Sequence, residues 1–151
     1  MKRDSFKQQV DELFSKFDDE YTKSRAMVAE KLYPLYIKLK GDIQDIYEIQ
    51  PEMLSTRQII SDQMSFFIGK LLKVNKKIRE VESSKLQDYL PMKKDGYSSK
   101  DIQMMIDDDL KEIKAQKEIL EIHIDFLKEC RRNCDQIGYG IKNRNAIAVY
   151  L

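Results

Sequence analysis

The chain has no Trp, one His, two Cys, three Pro and five Gly among 151 residues. Each scarcity excludes something. A single histidine leaves few options for acid–base catalysis. No Gly-rich loop is present to cradle phosphates, so the chain is not expected to hydrolyse nucleotide. No Ser or Cys stands in the context of an activated nucleophile. The expectation is a protein that is not an enzyme and needs no cofactor. No apolar run approaches the roughly 20 residues that cross a bilayer. The first residues, MKRDSFKQQVDELFSKF, are charged throughout, unlike a signal peptide. Both features point to the cytoplasm and to no membrane partner. With few breakers, 42% hydrophobic and 35% charged residues, an all-α chain is expected. The length suits a single helical domain, residues 1–151.

Periodicity divides that domain. Asp4 or Ser5 can cap a first helix carrying Phe6, Val10, Leu13, Phe14, Phe17 and Tyr21 at three- and four-residue steps. The pattern resumes at Val28, Leu32, Leu35, Tyr36, Leu39, Ile43, Ile46 and Tyr47. Pro34 predicts a kink or break near Leu32–Tyr33, Gly41 weakens the second piece, and Pro51 ends it near residue 50. A central helix over residues 55–90 then carries Ile60, Met64, Phe67, Leu71, Val74, Ile78 and Val81, the seam of a helix packed lengthwise on others. PMKKDGYSS, with a Pro, an Asp-Gly and paired serines, is the one convincing loop. Its length suits an antiparallel hairpin. Ser98 and Asp101 fit a capping box that opens a long helix over residues 98–137. That helix has a seven-residue ladder, Ile106, Ile113, Leu120, Leu127, Cys134 and Ile141. Its companion positions mix Leu110 and Ile124 with Gln116, Lys117 and His123, polar breaks of the kind that set register and partner choice. Gly138 and Gly140 should end it, leaving residues 141–151 as an amphipathic tail. Ladders on three helices exceed what one hairpin can cover, so a homo-oligomer is expected, with Leu120 and Leu127 at its contacts.

The net charge of +1 hides a segregation. Segment balances are −2 over residues 1–65, +5 over 66–100, −5 over 101–127 and +3 over 128–151. Alternating blocks can bind a polyanion, pair subunits head to tail, or do both; clustered but merely solvated helix faces are the plainer reading. Within the +5 block, Lys70, Lys73 and Lys77 share one face at about 100° per residue, and Phe66 projects on the same side. Lys76 and Arg79 add charge, and Lys85, Lys93, Lys94 and Lys100 extend it. Phosphates require closely spaced permanent cations, and a neighbouring aromatic can stack a base for roughly 1–3 kcal/mol. A solvated lysine face and a core phenylalanine are the plain alternative.

Other constellations carry less. Cys130 and Cys134 face one side of a helix, but only His123 could join them as a metal ligand, so buried reduced thiols are expected. Asp107, Asp108 and Asp109 diverge by about 100° each and cannot converge on one ion. Acidic first turns that complement a helix dipole explain such runs, including Asp18, Asp19 and Glu20.

Residues 124–147, IDFLKECRRNCDQIGYGIKNRNAI, resemble the end of the UvsY-type recombination mediators of phages related to the T-even group. The matching positions are Asp125 and Phe126, then Gly138 and Tyr139, then Ile141, Lys142 and Asn143. A basic helix followed by LQDYL, residues 86–90, a Gly-containing loop and another helix is similar in order, so the resemblance spans about residues 55–147. Where the family has an arginine before the glycine, this chain has Ile137. Where it has a short Lys/Arg motif before an Asp-Tyr pair, implicated in binding single-stranded DNA, this chain has Lys85 among serines. The resemblance implies an oligomer, in the host-cell cytoplasm if phage-encoded, that contacts single-stranded DNA, a RecA-like recombinase and single-strand-binding protein. It would load the recombinase onto covered strands in DNA recombination and repair. Lys70, Lys73, Lys76, Lys77, Arg79, Lys85, Lys93 and Lys94 would neutralise phosphates, Phe66 would stack a base, and Lys142 and Arg144 would serve the oligomer or the recombinase. The rival reading is a scaffolding coiled-coil protein whose +5 and −5 segments pair with each other.

Overall fold

A computed structural model describes the backbone of residues 2–41 and 43–150, and the side chains of residues 7–41 and 47–143. The expectations at Asp4, Ser5, Phe6, Ile43, Ile46 and Arg144 therefore fall outside the described side chains. The fold is all-α, with no strand among the described residues: α1 spans Lys2–Phe14, α2 Phe17–Leu39, α3 Ile43–Tyr89 and α4 Ser99–Tyr150. A 3-10 helix, Leu90–Asp95, joins α3 to α4. None of the helices is long and apolar enough to cross a membrane, among the described residues.

The breaks do not fall where the prolines and glycines suggest. The pattern from Val10 to Tyr21 is interrupted at Ser15, whose hydroxyl donates back to the carbonyl of Glu12 at 3.1 Å and so competes with the helical ladder. α2 then starts on Asp18, Asp19 and Glu20, which complement its dipole. Pro34 lies inside α2 and Pro51 inside the 47-residue α3, with no connector at residue 50. Both prolines are exposed and line one open groove of about 520 Å³ with Glu30 and Thr56. Water can reach the carbonyls they leave unpaired, while the neighbouring Leu32, Leu35, Ile49 and Met53 are buried and hold the helices. α4 likewise continues through Gly138 and Gly140 for 52 residues, with no break before the tail. A Cβ at Gly138 would lie 3.3 Å from the Met53 methyl carbon, and one at Gly140 would lie 3.3 Å from Leu39. These glycines admit neighbours and do not break the helix.

The expected loop is real but partly helical: Gly96, at φ +92°, ends the 3-10 helix in the left-handed region that suits glycine. The capping box follows it. The Ser98 amide donates to Asp101 at 2.9 Å, and the Asp101 amide donates to the Ser98 hydroxyl at 3.1 Å. The Ser98 donors hold the Asp101 carboxyl below its usual range.

Contacts group the chain into two compact units. The first unit comprises Met1–Ser15 and Ile68–Ile122, and the second comprises Lys16–Phe67 and His123–Leu151. In the first, Val10, Val74, Ile78, Val81, Ile102, Ile106, Leu110, Ile113 and Leu120 are buried. In the second, His123 is wholly buried with its Nε2 3.0 Å from the Ser24 hydroxyl. Its ring lies 4.4 Å from that of Phe67 and 4.6 Å from that of Tyr21. The Arg25 guanidinium sits 4.7 Å over Tyr21 and 3.9 Å over Phe126, a cation–π sandwich. Burial, and then the Arg25 charge, pushes the His123 pKa down to about 4.

The α4 ladder is buried from end to end within one chain. Leu120 and Leu127 are 0% exposed, so they are core residues, not surface contacts between subunits. Further along α4, Cys130 and Cys134 are buried free thiols, and burial raises Cys134 to about 11.

Candidate nucleic-acid interface

The basic block lies on the C-terminal half of α3, inside the first unit. Its apolar positions turn inward: Val74 is 0% exposed and Ile78 and Val81 are buried, which fixes the rotation of the helix. That rotation leaves Lys73, Lys76 and Arg79 exposed, with Lys70 and Lys77 half-buried. Among the described residues no ion pair forms to Lys73, Lys76, Lys77 or Arg79, whereas Lys70 already has an interaction of its own. Desolvating an unpaired surface lysine against a phosphate displaces only water and counterions, which favours an electrostatic contact.

Helix geometry sorts these cations further. Lys70, Lys73 and Lys77 fall within about 60° of one another, while Arg79 points about 120° or more away from all three. Lys76 lies between them, nearer Arg79 than Lys77. Phe66 is on the second unit's stretch of the same helix, one turn before Lys70 in sequence. It is 52% exposed and meets Phe67 edge-on at 5.1 Å, so it is not the core residue of the plain alternative. Lys93 and Lys94 are exposed on the 3-10 helix.

Lys85 departs from expectation. Its ammonium is 3.6 Å from Asp109, both side chains are largely covered, and the Tyr89 hydroxyl also bonds Asp109. Removing Lys85 from this cluster to meet a phosphate would leave a shielded carboxylate, so it is a structural residue of the first unit. The neighbouring aspartates go separate ways, and none belongs to the first turn of α4. Asp107 accepts from Gln103 at 2.9 Å and sits 3.9 Å from Lys114, while Asp108 is exposed. Among the described residues, no three His, Cys, Asp or Glu side chains come together as metal ligands. Lys142 is exposed at the far end of α4.

A second row on α3 emerges only with the burial pattern. Ile68, Leu72 and Leu86 of α3, and Leu90 at the start of the 3-10 helix, are 38%, 65%, 44% and 44% exposed, and the three on α3 fall within about 40° of one another. Their spacing of four, fourteen and four residues is heptad-like, visible in the sequence but masked by the stronger seam beside it.

No family model, curated protein or solved structure matches the chain.

Proposed function

We propose that this protein is a recombination mediator, an oligomer that binds single-stranded DNA and loads a RecA-like recombinase onto strands covered by single-strand-binding protein. It performs no covalent chemistry. The observation that carries the reading is the row of Lys73 and Lys77 on α3, unpaired with any carboxylate among the described residues, beside Lys70 and with the exposed Phe66 one turn earlier. Cations three and four residues apart recur about every 5 Å along a helix axis. That spacing is near the repeat of an extended phosphate backbone, and the aromatic offers a sequence-tolerant stacking surface. Lys93 and Lys94 extend the track. The resemblance of residues 124–147 to UvsY-type mediators supports the recombinase-loading role.

Within the first unit, α3 and α4 are read as an antiparallel hairpin. Rising positions on α3 meet falling ones on α4: Glu82 with Lys114 at 3.7 Å, and Lys85 with Asp109 at 3.6 Å. Binding to single strands should be tight at low salt and insensitive to base sequence. On strands coated with single-strand-binding protein, the chain should shorten the lag before a RecA-like recombinase begins to hydrolyse ATP. Normal lag times, together with no retention of labelled single strands at low salt, would refute the reading.

The scaffold reading has one observation of its own, the exposed apolar row on α3. Among the described residues, Lys85–Asp109 joins a cation of the +5 block to an acid of the −5 block, whereas Lys114–Glu82 joins a cation of the −5 block to an acid of the +5 block.

A further inference from the structure

The first unit carries two unpartnered faces whose chemistry is complementary. On α3, Ile68 and Leu72 stand at one end and Leu86 at the other, with Leu90 just beyond on the 3-10 helix and Lys76 and Arg79 between the ends. On α4, Met104 is 62% exposed, Ile119 44% and Ile122 56%, and they share a face with Ala115 and Asp108 within about 60°. Glu112 flanks that face.

The acidic block sorts itself in the same way. Asp101 is held by Ser98, Asp107 by Gln103, Asp109 by Tyr89 and Lys85, and Glu121 lies 3.7 Å from Lys117. Asp108, Glu112 and Glu118 have no such partner among the described residues, and all three lie on or beside the exposed apolar row of α4. Lys76 and Arg79 are likewise unpaired among the described residues, on the exposed apolar row of α3. Charge left over on both faces, each next to exposed Leu, Ile or Met, is the composition of a contact between helices with flanking ion pairs.

We infer that the α3 face of one copy, Ile68 to Leu86, packs on the α4 face of a second copy, Met104 to Ile122. The two faces can be registered in either direction. Antiparallel, Ile68 falls opposite Ile122, Leu72 opposite Ile119, Arg79 opposite Glu112 and Leu86 opposite Met104, to within one residue. Parallel, with the same one-residue tolerance, Leu72 falls opposite Met104, Lys76 opposite Asp108, Arg79 opposite Glu112 and Leu86 opposite Ile119, so both directions set Arg79 against Glu112. The contact is about 30 Å long at 1.5 Å per residue. It joins two different faces, so each added copy presents a fresh face, and the assembly is a ring or an open filament. The inference deepens the oligomeric part of the proposed function, and it leaves Lys70, Lys73 and Lys77 on a separate side of α3 for the nucleic acid.

The test reverses charge on each face of the full chain and measures mass by light scattering at micromolar concentration without DNA. Lys76→Glu with Arg79→Glu, and separately Asp108→Lys with Glu112→Lys, should each weaken association by more than about tenfold and drop the mass toward 17.9 kDa. All four positions are exposed, so helicity by circular dichroism should not change. An equimolar mixture of the two variants should return to the wild-type mass, because the two reversed faces fit each other and the two native faces still fit. Wild-type mass for both variants alone would overturn the inference, as would a mixture that fails to recover. A wild-type chain that stays at 17.9 kDa throughout would remove the oligomer itself, whereas retention of labelled single strands reads the DNA-binding part independently.

Discussion

In the second unit the least ordinary side chains lie inside: His123 against Ser24, Arg25 between two rings, and two thiols at 5% and 0% exposure. In the first unit they lie outside: Lys73 and Lys77, without carboxylate partners among the described residues, and Leu72 and Met104, more than 60% exposed. The two are built from the same long helices, so the contrast is not one of fold. It lies in which residues occupy the positions that the buried seam leaves over. A polar group enclosed in packed aromatics specifies one arrangement of its own chain. Cations and apolar side chains left in water are suited to meeting something else.

The contrast can be broken most sharply by deletion of leucine side chains. Leu127→Ala, at a wholly buried position, should cost about 2–5 kcal/mol in chemical denaturation. Leu72→Ala, 65% exposed, should leave the stability of the isolated chain within about 0.5 kcal/mol. Equal costs would mean that the two leucines do not differ in environment.

Acid should find the second unit first. His123 has a folded pKa of about 4, below its ordinary 6.5, so the folded chain favours the neutral imidazole. Its contribution is complete above pH 6.5 and is lost as pH falls toward 4, where the unfolded chain takes up a proton that the folded one refuses. The loss amounts to about 3 kcal/mol. Urea midpoints measured between pH 7 and pH 4.5 should show it in the wild type. That component should be missing in His123→Gln, whatever the variant's stability at pH 7.

A smaller effect separates the glycines. A methyl added at Gly69 on α3 would meet nothing within 4 Å, so Gly69→Ala should stabilise by roughly 1 kcal/mol. Gly140→Ala meets Leu39 at 3.3 Å and should gain less or lose. Thermal melts of the two variants rank them directly.

These residues also show what could be read in advance. The all-α class, the α4 ladder and the Ser98–Asp101 box were legible because periodicity and capping are local properties. The continuity of α2 through Pro34, α3 through Pro51 and α4 through Gly140 was not, because it depends on which side of a helix faces water or a neighbour. Leu120 and Leu127 carried the right pattern but the wrong partner: a heptad row says that something covers it, not whether the cover is the same chain. Lys85 was indistinguishable from Lys73 until Asp109 was found 3.6 Å away. The row at Ile68, Leu72 and Leu86 was present in the spacing and masked by the stronger seam beside it.

The central claim is that the lysine side of α3 serves a nucleic acid and is distinct from the side that serves another copy. Binding of labelled single-stranded DNA, followed from low to moderate salt, tests it most directly when mass is measured on the same samples. With Lys70, Lys73 and Lys77 all replaced by Ala, the slope of log affinity against log salt should flatten by about two units per engaged subunit, with mass and helicity unchanged. An unchanged slope in an intact assembly would contradict the account, as would loss of the assembly before any loss of DNA binding.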